Sequence, residues 1–336
     1  MISAREAQGV ILKNPRQIDY LRLSVTDLCN LRCQYCIPFE GISGTKKENI
    51  LTFEEMTRLV QILVRLGIRR VRLTGGEPLV RREIPGLVRR LKGISGLQEV
   101  LMTTNGILLK PLARELKRAG LEKINVHLDT LSPQKFKKIT RWGELQNVLD
   151  GIQEAKKAGL RPIKLNAVIQ KGINDDEVEK LLLFAAENGL ILRLIELMPI
   201  GPAQRMMEER FIPLEKLRSR LEEKYSLLPA RPEVGHGPAV YYEVRELETL
   251  IGFISPVSQP FCKSCNRIRI SADGRFQDCL AYDGVSSLRD LLRDPTYDDD
   301  RLGRAVVPLL RGKREGHDGF QQELSVATPC MYGIGG

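Results

Sequence analysis

From about Tyr20 to about Glu196 the chain repeats one unit, a short apolar run of strand length followed by an amphipathic stretch with helical spacing. Consecutive units of this kind build a parallel sheet with helices packed outside it, because each parallel strand must be reached by a crossover. Six runs qualify as strands: Tyr20 to Val25, Arg70 to Thr74, Glu99 to Thr103, Lys123 to Leu128, Ile163 to Ile169 and Ile191 to Glu196. Helices fit between them. The stretch Thr52 to Leu66 opens on a capping box, Thr52 with Glu55, and stops at Gly67, while Asp175 to Asn188 stops at Gly189. Six right-handed units predict an α/β fold, a partial (β/α)6 barrel of the TIM type, with ligands gathered at the C-terminal strand ends.

The pattern then changes. After a helical stretch from about Pro213 to Tyr225, the segment Leu228 to Pro238 carries three prolines and two glycines and reads as a boundary. Ala239 to Val244, Leu250 to Ile254, Arg267 to Ser271 and Arg275 to Asp278 read as short strands, with Ala272-Asp273-Gly274 as a hairpin turn and helices near Ser287 to Arg293 and Asp298 to Arg311. The expected division is an N-terminal extension (1–19), a partial barrel (20–235) and a smaller C-terminal domain of short antiparallel strands and helices (236–336). No run approaches the roughly 18 apolar residues of a membrane span, and Met1 to Gln17 lacks the apolar stretch of a secretion signal. A cytoplasmic protein with no membrane partner is expected. The net charge of +10 calls for an anionic partner, but basic residues are interspersed with acidic ones and aromatics make up only 5%. No basic stripe interleaved with stacking aromatics is present, which argues against nucleic acid and for a small anion.

The cysteines carry the chemistry. Six of the seven form two triplets, Cys29-x3-Cys33-x2-Cys36 and Cys262-x2-Cys265-x13-Cys279, and the seventh, Cys330, reads as an incidental thiol. Three thiolates leave a metal centre open, whereas a structural zinc takes four protein ligands and closes. A four-iron, four-sulfur cubane held by three cysteines leaves one iron free for a small molecule. Spacing alone leaves open a zinc site completed by a distant residue, for either triplet. Beside the second triplet, Arg267 and Arg269 share one face of a strand, which suits an anionic ligand. Cations also interrupt the barrel strands at Arg22, Arg70, Arg72, Lys164 and Arg193. Parallel strands are usually almost continuously apolar, so as a set these cations imply a bound anion or a wet cavity, although Arg70 alone reads as a solvent-facing strand end.

The segment Cys29 to Cys36, with Tyr35 before its last cysteine, resembles the signature of the radical S-adenosylmethionine (SAM) superfamily, and Thr74-Gly75-Gly76-Glu77-Pro78 resembles its second motif. The resemblance extends to MTTNG at Met102, INVHLDTL from Ile124, VIQKGIND from Val168, IELMP from Ile195, SPVSQPFC ending at Cys262 and the terminal Gly335-Gly336. Together these resemble the superfamily's GTP cyclases of molybdenum cofactor biosynthesis. The resemblance implies two [4Fe-4S] clusters, on Cys29, Cys33 and Cys36 and on Cys262, Cys265 and Cys279, with SAM on the open iron of the first. It places Tyr35, Gly76, His127 and Met198 at SAM, and Arg22, Arg72, Thr103, Lys164, Arg193, Arg267 and Arg269 at GTP. Beyond the cluster and SAM it implies no catalytic side chain.

The implied reaction begins with cleavage of SAM to methionine and a 5′-deoxyadenosyl radical, which takes hydrogen from C3′ of GTP. The ribose then attacks C8, giving 3′,8-cyclo-7,8-dihydro-GTP at a cost of two electrons. Implied partners are GTP, an electron donor such as a flavodoxin-type reductant, and the next enzyme of the pathway, cyclic pyranopterin monophosphate synthase; a homodimer is also allowed. His127 stands where the family usually has serine, and Arg193 and Met198 have opposite strand parity, so both reach the ligands only across a bend or bulge. The Gly335-Gly336 tail enters the active site in the family. Two other readings remain in view, a radical SAM peptide-modifying enzyme with an auxiliary cluster and a zinc-stabilised nucleic-acid-binding protein.

Overall fold

The structure is a computed structural model, and it describes residues 17–42, 44–231, 237–282, 286–316 and 331–334. Cys330, Gly335 and Gly336 lie outside the described residues.

Twelve strands form one sheet. The six expected strands form as β1 (Tyr20–Ser24), β2 (Arg70–Thr74), β3 (Glu99–Thr104), β4 (Lys123–His127), β5 (Ile163–Ile169) and β6 (Ile191–Glu196), each parallel to the next. Helices Phe53–Arg65, Ile84–Lys92, Leu109–Arg118, Leu145–Lys157 and Val178–Glu187 cross between them. The capping box at Thr52 is present, its side chain accepting from the Glu55 amide while the Glu55 carboxylate accepts from the Thr52 amide. Each strand turns a pair of apolar residues outward to these helices: Leu21 and Leu23, Val71 and Leu73, Val100 and Met102, Ile124 and Val126, Leu165 and Ala167, Leu192 and Leu194 are fully or almost fully buried in one continuous core, while Leu101 and Ile195 face the cavity. Period-two alternation leaves the polar residues of the same strands facing inward.

The strands expected in a separate C-terminal unit join this sheet at both edges. The remaining strands are β7 (Leu227–Ala230), β8 (Val240–Val244), β9 (Thr249–Ile254), β10 (Arg267–Ile270), β11 (Arg275–Gln277) and β12 (Ser286–Ser287). The full order is β12-β11-β10-β1-β2-β3-β4-β5-β6-β9-β8-β7, with β10 parallel to β1, β9 parallel to β6, and the four outermost strands antiparallel. Residues from β1 through β6 and from β10 line one cavity, so the sheet curls into an open barrel. The proline-bearing segment read as a boundary starts with β7. Pro229 is tolerated there because β7 is the sheet's edge and an edge strand can spare an N–H. Helices Leu288–Arg293 and Asp299–Arg311 follow, N-capped by Ser287 and Asp298, and Arg58 on Phe53–Arg65 pairs with Asp299 at 2.8 Å.

Candidate active site

The two triplets stand at opposite ends of the barrel. Cys29, Cys33 and Cys36 lie in the loop beyond the C-terminal end of β1. Tyr20 pairs with Arg267 and Leu23 with Ile270, so Cys262 and Cys265 precede the N-terminal end of the sheet. Cys279, two residues past β11, returns to that end because β11 runs antiparallel to β10 with Gln277 opposite Arg269. The expectation that ligands gather at the C-terminal ends holds for the first triplet, and the second adds a site at the opposite end. The second triplet closes the opposite end because its strands were added beside β1 rather than stacked in a separate unit.

A cavity of roughly 210 Å³ opens inside the barrel, and all three cysteines of the second triplet line it together with Arg22, Arg72, Lys164, Arg193, Arg267 and Arg269. The strand register makes three of these cations direct neighbours: Arg269 lies opposite Arg22, and Arg22 opposite Arg72. Like charges facing each other across strands are destabilising, and more so where water is scarce. Burial and the neighbouring Arg269 hold the Arg22 guanidinium well below its ordinary pKa. Burial and Arg267 push Arg269 down to about 10, and burial with the charges of Arg193, Arg72 and Lys123 brings the Lys164 ammonium down to about 7. Neutral oxygens orient several of these cations, and the acids Glu99 and Asp278 line the same cavity. Arg72 donates to the Tyr20 hydroxyl at 2.6 Å and the Met102 carbonyl at 2.9 Å, Lys164 to the Tyr241 hydroxyl at 3.1 Å, and Arg193 to the Asn166 amide oxygen at 2.9 Å. An arrangement that gathers cations from β10, β1, β2, β5 and β6 around one cavity suits a polyanion.

One expected member, Thr103, and the strand-end cation Arg70 stand differently from expectation. Thr103 is absent from the lining and meets the site only through Arg72, whose Nη1 lies 3.4 Å from the threonine hydroxyl. Arg70 faces neither cavity nor open solvent; it is ion-paired with Asp19 and with Glu99, the latter at 3.3 Å. Met198 and Arg193 both line the cavity because β6 ends at Glu196, two residues before Met198, so strand parity no longer binds them.

At the other end, Tyr35 is buried and its hydroxyl donates to Asp129 at 2.8 Å, with His127 Nε2 2.5 Å away. His127 Nε2 also lies 2.9 Å from the same Asp129 oxygen, and although burial opposes its charged form, the Asp129 charge and hydrogen bond raise its pKa overall. His127 thus packs into a polar knot around Tyr35, at the position where serine was expected. Gly75 and Gly76 brace the cysteine loop: a Cβ on Gly76 would meet the Leu28 carbonyl oxygen at 2.3 Å, and one on Gly75 the Thr26 carbonyl oxygen at 2.5 Å. The Gly76 amide donates to the Thr26 carbonyl and the Glu77 amide to the Leu28 carbonyl, at 2.9 and 2.8 Å.

The two donor sets fit clusters better than single ions. Each set offers three thiols, the number that leaves one iron of a cubane open, and among the described residues no group of three His, Cys, Asp or Glu is placed to hold a single metal ion. Cys29 sulfur accepts the Leu31 amide at 3.4 Å and lies 3.8 Å from Asn105 Nδ2, contacts of the kind that tune cluster sulfur. Burial works against the Cys265 thiolate, but Arg267 and Lys313 outweigh it and bring its pKa to about 7. The Thr74 hydroxyl is buried without a hydrogen-bond partner, at the head of the Gly-Gly turn and on the face of β2 that carries Arg72.

Two residues that sequence reasoning missed tie the site together. Glu77 is buried and accepts from Thr104 Oγ1 at 2.7 Å and the Asn105 amide at 2.6 Å, while burial lifts its pKa to about 7. Glu196 is fully buried and accepts from the Leu214, Val257 and Ser258 amides and the Ser258 hydroxyl, fixing the end of β6 to the segment that leads to Cys262. Both glutamates lie inside quoted motifs, TGGEP and IELMP, and an acid beside otherwise apolar or glycine residues was the available signal.

Residues 23–185 match the Radical SAM superfamily, and residues 190–319 match Molybdenum Cofactor Synthesis C. The chain is 41% identical to the GTP 3′,8-cyclase of Alkaliphilus metalliredigens, covering 96% of this chain and 98% of that protein. It is 43% identical to the GTP 3′,8-cyclase of Syntrophomonas wolfei, covering 96% and 99%. Among solved structures, the crystal structure of Streptococcus suis SuiB bound to S-adenosylmethionine superposes with a TM-score of 0.64 at 15% identity, over 95% of this chain and 81% of that one.

Proposed function

This chain belongs to the GTP 3′,8-cyclase family of the radical SAM superfamily, and on that premise we propose which of its residues carry the reaction. It is an enzyme that converts GTP to (8S)-3′,8-cyclo-7,8-dihydroguanosine 5′-triphosphate, the first step of molybdenum cofactor biosynthesis, using SAM and two [4Fe-4S] clusters. When bound, the first cluster and SAM supply the radical that removes hydrogen from the substrate.

The residues divide the work by position. Cys29, Cys33 and Cys36 hold the first cluster; Tyr35, Gly76, His127 and Met198 surround SAM, with Gly76 acting chiefly by letting its turn seat against the cysteine loop. Cys262, Cys265 and Cys279 would hold the second cluster, which would supply an open coordination site for the guanine end of GTP. Arg22, Arg72, Lys164, Arg193, Arg267 and Arg269 hold the triphosphate, and Thr103 steadies Arg72. Fixing both ends of the nucleotide leaves its ribose facing the first triplet, and this positioning is the protein's largest contribution to the rate. The row Arg269, Arg22, Arg72 across three neighbouring strands carries the reading, since its mutual repulsion calls for a polyanion.

In the division into a barrel at 20–235 and a C-terminal unit at 236–336, each unit supplies one cluster. The family resemblance gives the C-terminal Gly335-Gly336 a role in the reaction, and both lie outside the described residues. An external reductant of flavodoxin type, transfer of the product to cyclic pyranopterin monophosphate synthase, a cytoplasmic location and a homodimer complete it. Among the described residues no helix is long and apolar enough to cross a membrane.

Anaerobic turnover tests the proposal. Reconstituted protein with SAM, GTP and dithionite is expected to give 5′-deoxyadenosine and cyclised nucleotide together. Formation of 5′-deoxyadenosine alone, whatever the GTP concentration, would remove GTP as the substrate.

A further inference from the structure

Five large apolar side chains are conspicuously exposed among the described residues, and three of them, Leu28, Phe39 and Trp142, flank the first cysteine loop. Phe39 is 86% exposed and Trp142, the only tryptophan of the chain, 63%. Their exposure is built by the local backbone. The helix Pro133–Thr140 ends at Arg141, which holds φ +65°, a conformation costly for a side chain of this size. The next amide but one, that of Gly143, donates back to Thr140 Oγ1 at 3.1 Å, and a Cβ on Gly143 would collide with Phe136 and Leu31. The turn therefore has one conformation, and it throws Trp142 outward.

Each aromatic ring lies beneath an arginine that also grips the cysteine loop. Arg32 sits 4.4 Å from the Trp142 centroid and donates to the Cys29 carbonyl at 2.6 Å. Arg141 sits 5.5 Å from the Phe39 centroid and donates to the Ile37 and Pro38 carbonyls, both at 3.3 Å. The Gln34 amide and side chain bond the carbonyls of Ile139 and Lys138, so the last helical turn, carrying exposed Lys137 and Lys138, is continuous with the loop. Glu40 and Glu144 are the acids nearby in sequence, and Glu144 is 3.8 Å from Lys137. Within segments 28–42 and 137–144 the cations Arg32, Lys137, Lys138 and Arg141 outnumber Glu40 and Glu144, and the exposed aromatics lie among them; Arg210, Glu208 and Glu209 of the helix Met207–Arg210 adjoin at Gln34. Aromatics ringed by cations suit a partner with an acidic surface.

We propose that the face formed by Phe39, Trp142, Arg32, Arg141, Lys137 and Lys138 docks an acidic one-electron carrier protein, which reduces the cluster of the first triplet. The inference rests on the function proposed above, because only that reading gives the first triplet a need for electrons. In each delivery the carrier loses one electron and the cluster gains it, with no bond made or broken. The second copy of this chain is the competing occupant.

The test measures binding of the reconstituted full chain to an acidic flavodoxin and an acidic ferredoxin, without GTP. Docking is expected to perturb Trp142 fluorescence and to weaken about tenfold as salt rises from about 0.05 to 0.3 M. Trp142→Ala and the double variant Lys137→Glu/Lys138→Glu are each expected to lose at least about tenfold in affinity for the carrier that binds, with melting temperatures matching the parent. Unchanged affinity of both folded variants for both carriers would overturn the proposal. So would sedimentation in which Trp142→Ala turns a dimer of the chain alone into a monomer, since a second copy would then own this face. Failure here leaves dithionite-driven GTP cyclisation standing, whereas absence of that cyclisation would remove the proposed function itself.

Discussion

Lys164 shows how single residues report on the site. It is 6% exposed on β5, its ammonium faces the Tyr241 hydroxyl, and burial with the charges of Arg193, Arg72 and Lys123 leaves its pKa at about 7. At pH 8 the free side chain is therefore mostly neutral. A triphosphate favours the ammonium and raises the pKa, so GTP binding must take up a proton, and affinity must fall as pH rises from 7 to 9. Calorimetry at pH 8 in buffers of different ionisation enthalpy is expected to show uptake approaching about one proton, absent in Lys164→Gln. Equal heats in all buffers would contradict this. The inward cations were legible in the sequence because period two puts Arg70, Arg72 and Thr74 on one face. Arg70 was not separable from Arg72 by that rule, since its capture by Asp19 and Glu99 depends on residues far along the chain.

At the scale of elements, the Gly-Gly turn and the cysteine loop act as one piece. A methyl at Gly76 would meet backbone oxygen at 2.3 Å, and backbone cannot swing aside as a side chain can. Gly76→Ala is expected to lower SAM affinity by more than about tenfold, read by equilibrium dialysis, with the barrel still folded. Gly86, in the helix Ile84–Lys92, has nothing within 4 Å of such a methyl, so Gly86→Ala should stabilise by about 0.5–1 kcal/mol in denaturant titration. Glu196→Ala would remove the acceptor from the amides of buried Leu214, half-buried Val257 and exposed Ser258 and from the Ser258 hydroxyl. A loss of about 2–4 kcal/mol is expected by the same titration, and a loss below about 0.5 kcal/mol would show that water replaces the carboxylate.

The six parallel strands and their helices could be read from local periodicity and caps. The pairing of β10 with β1 and of β9 with β6 could not, because no local pattern encodes which edge a distant strand will join. The same holds for Glu77 and Glu196, whose value lies in amides brought to them by loop closure.

For the molecule as a whole, the central claim is a division of labour between two ends of one barrel. The first triplet lies beyond the C-terminal strand ends, the second brackets the N-terminal ends, and the cavity with its arginine row belongs to the second. Open coordination at each end makes the two clusters separable by mutation. The direct test is the triple variant Cys262→Ala/Cys265→Ala/Cys279→Ala, reconstituted anaerobically beside the parent and assayed for iron, SAM binding, GTP binding and nucleotide products. The variant is expected to hold about half the parent's iron and to bind SAM normally, with GTP affinity reduced at least about tenfold and no cyclised nucleotide formed. Cyclised nucleotide at the parental rate from a chain without the second triplet would contradict the account.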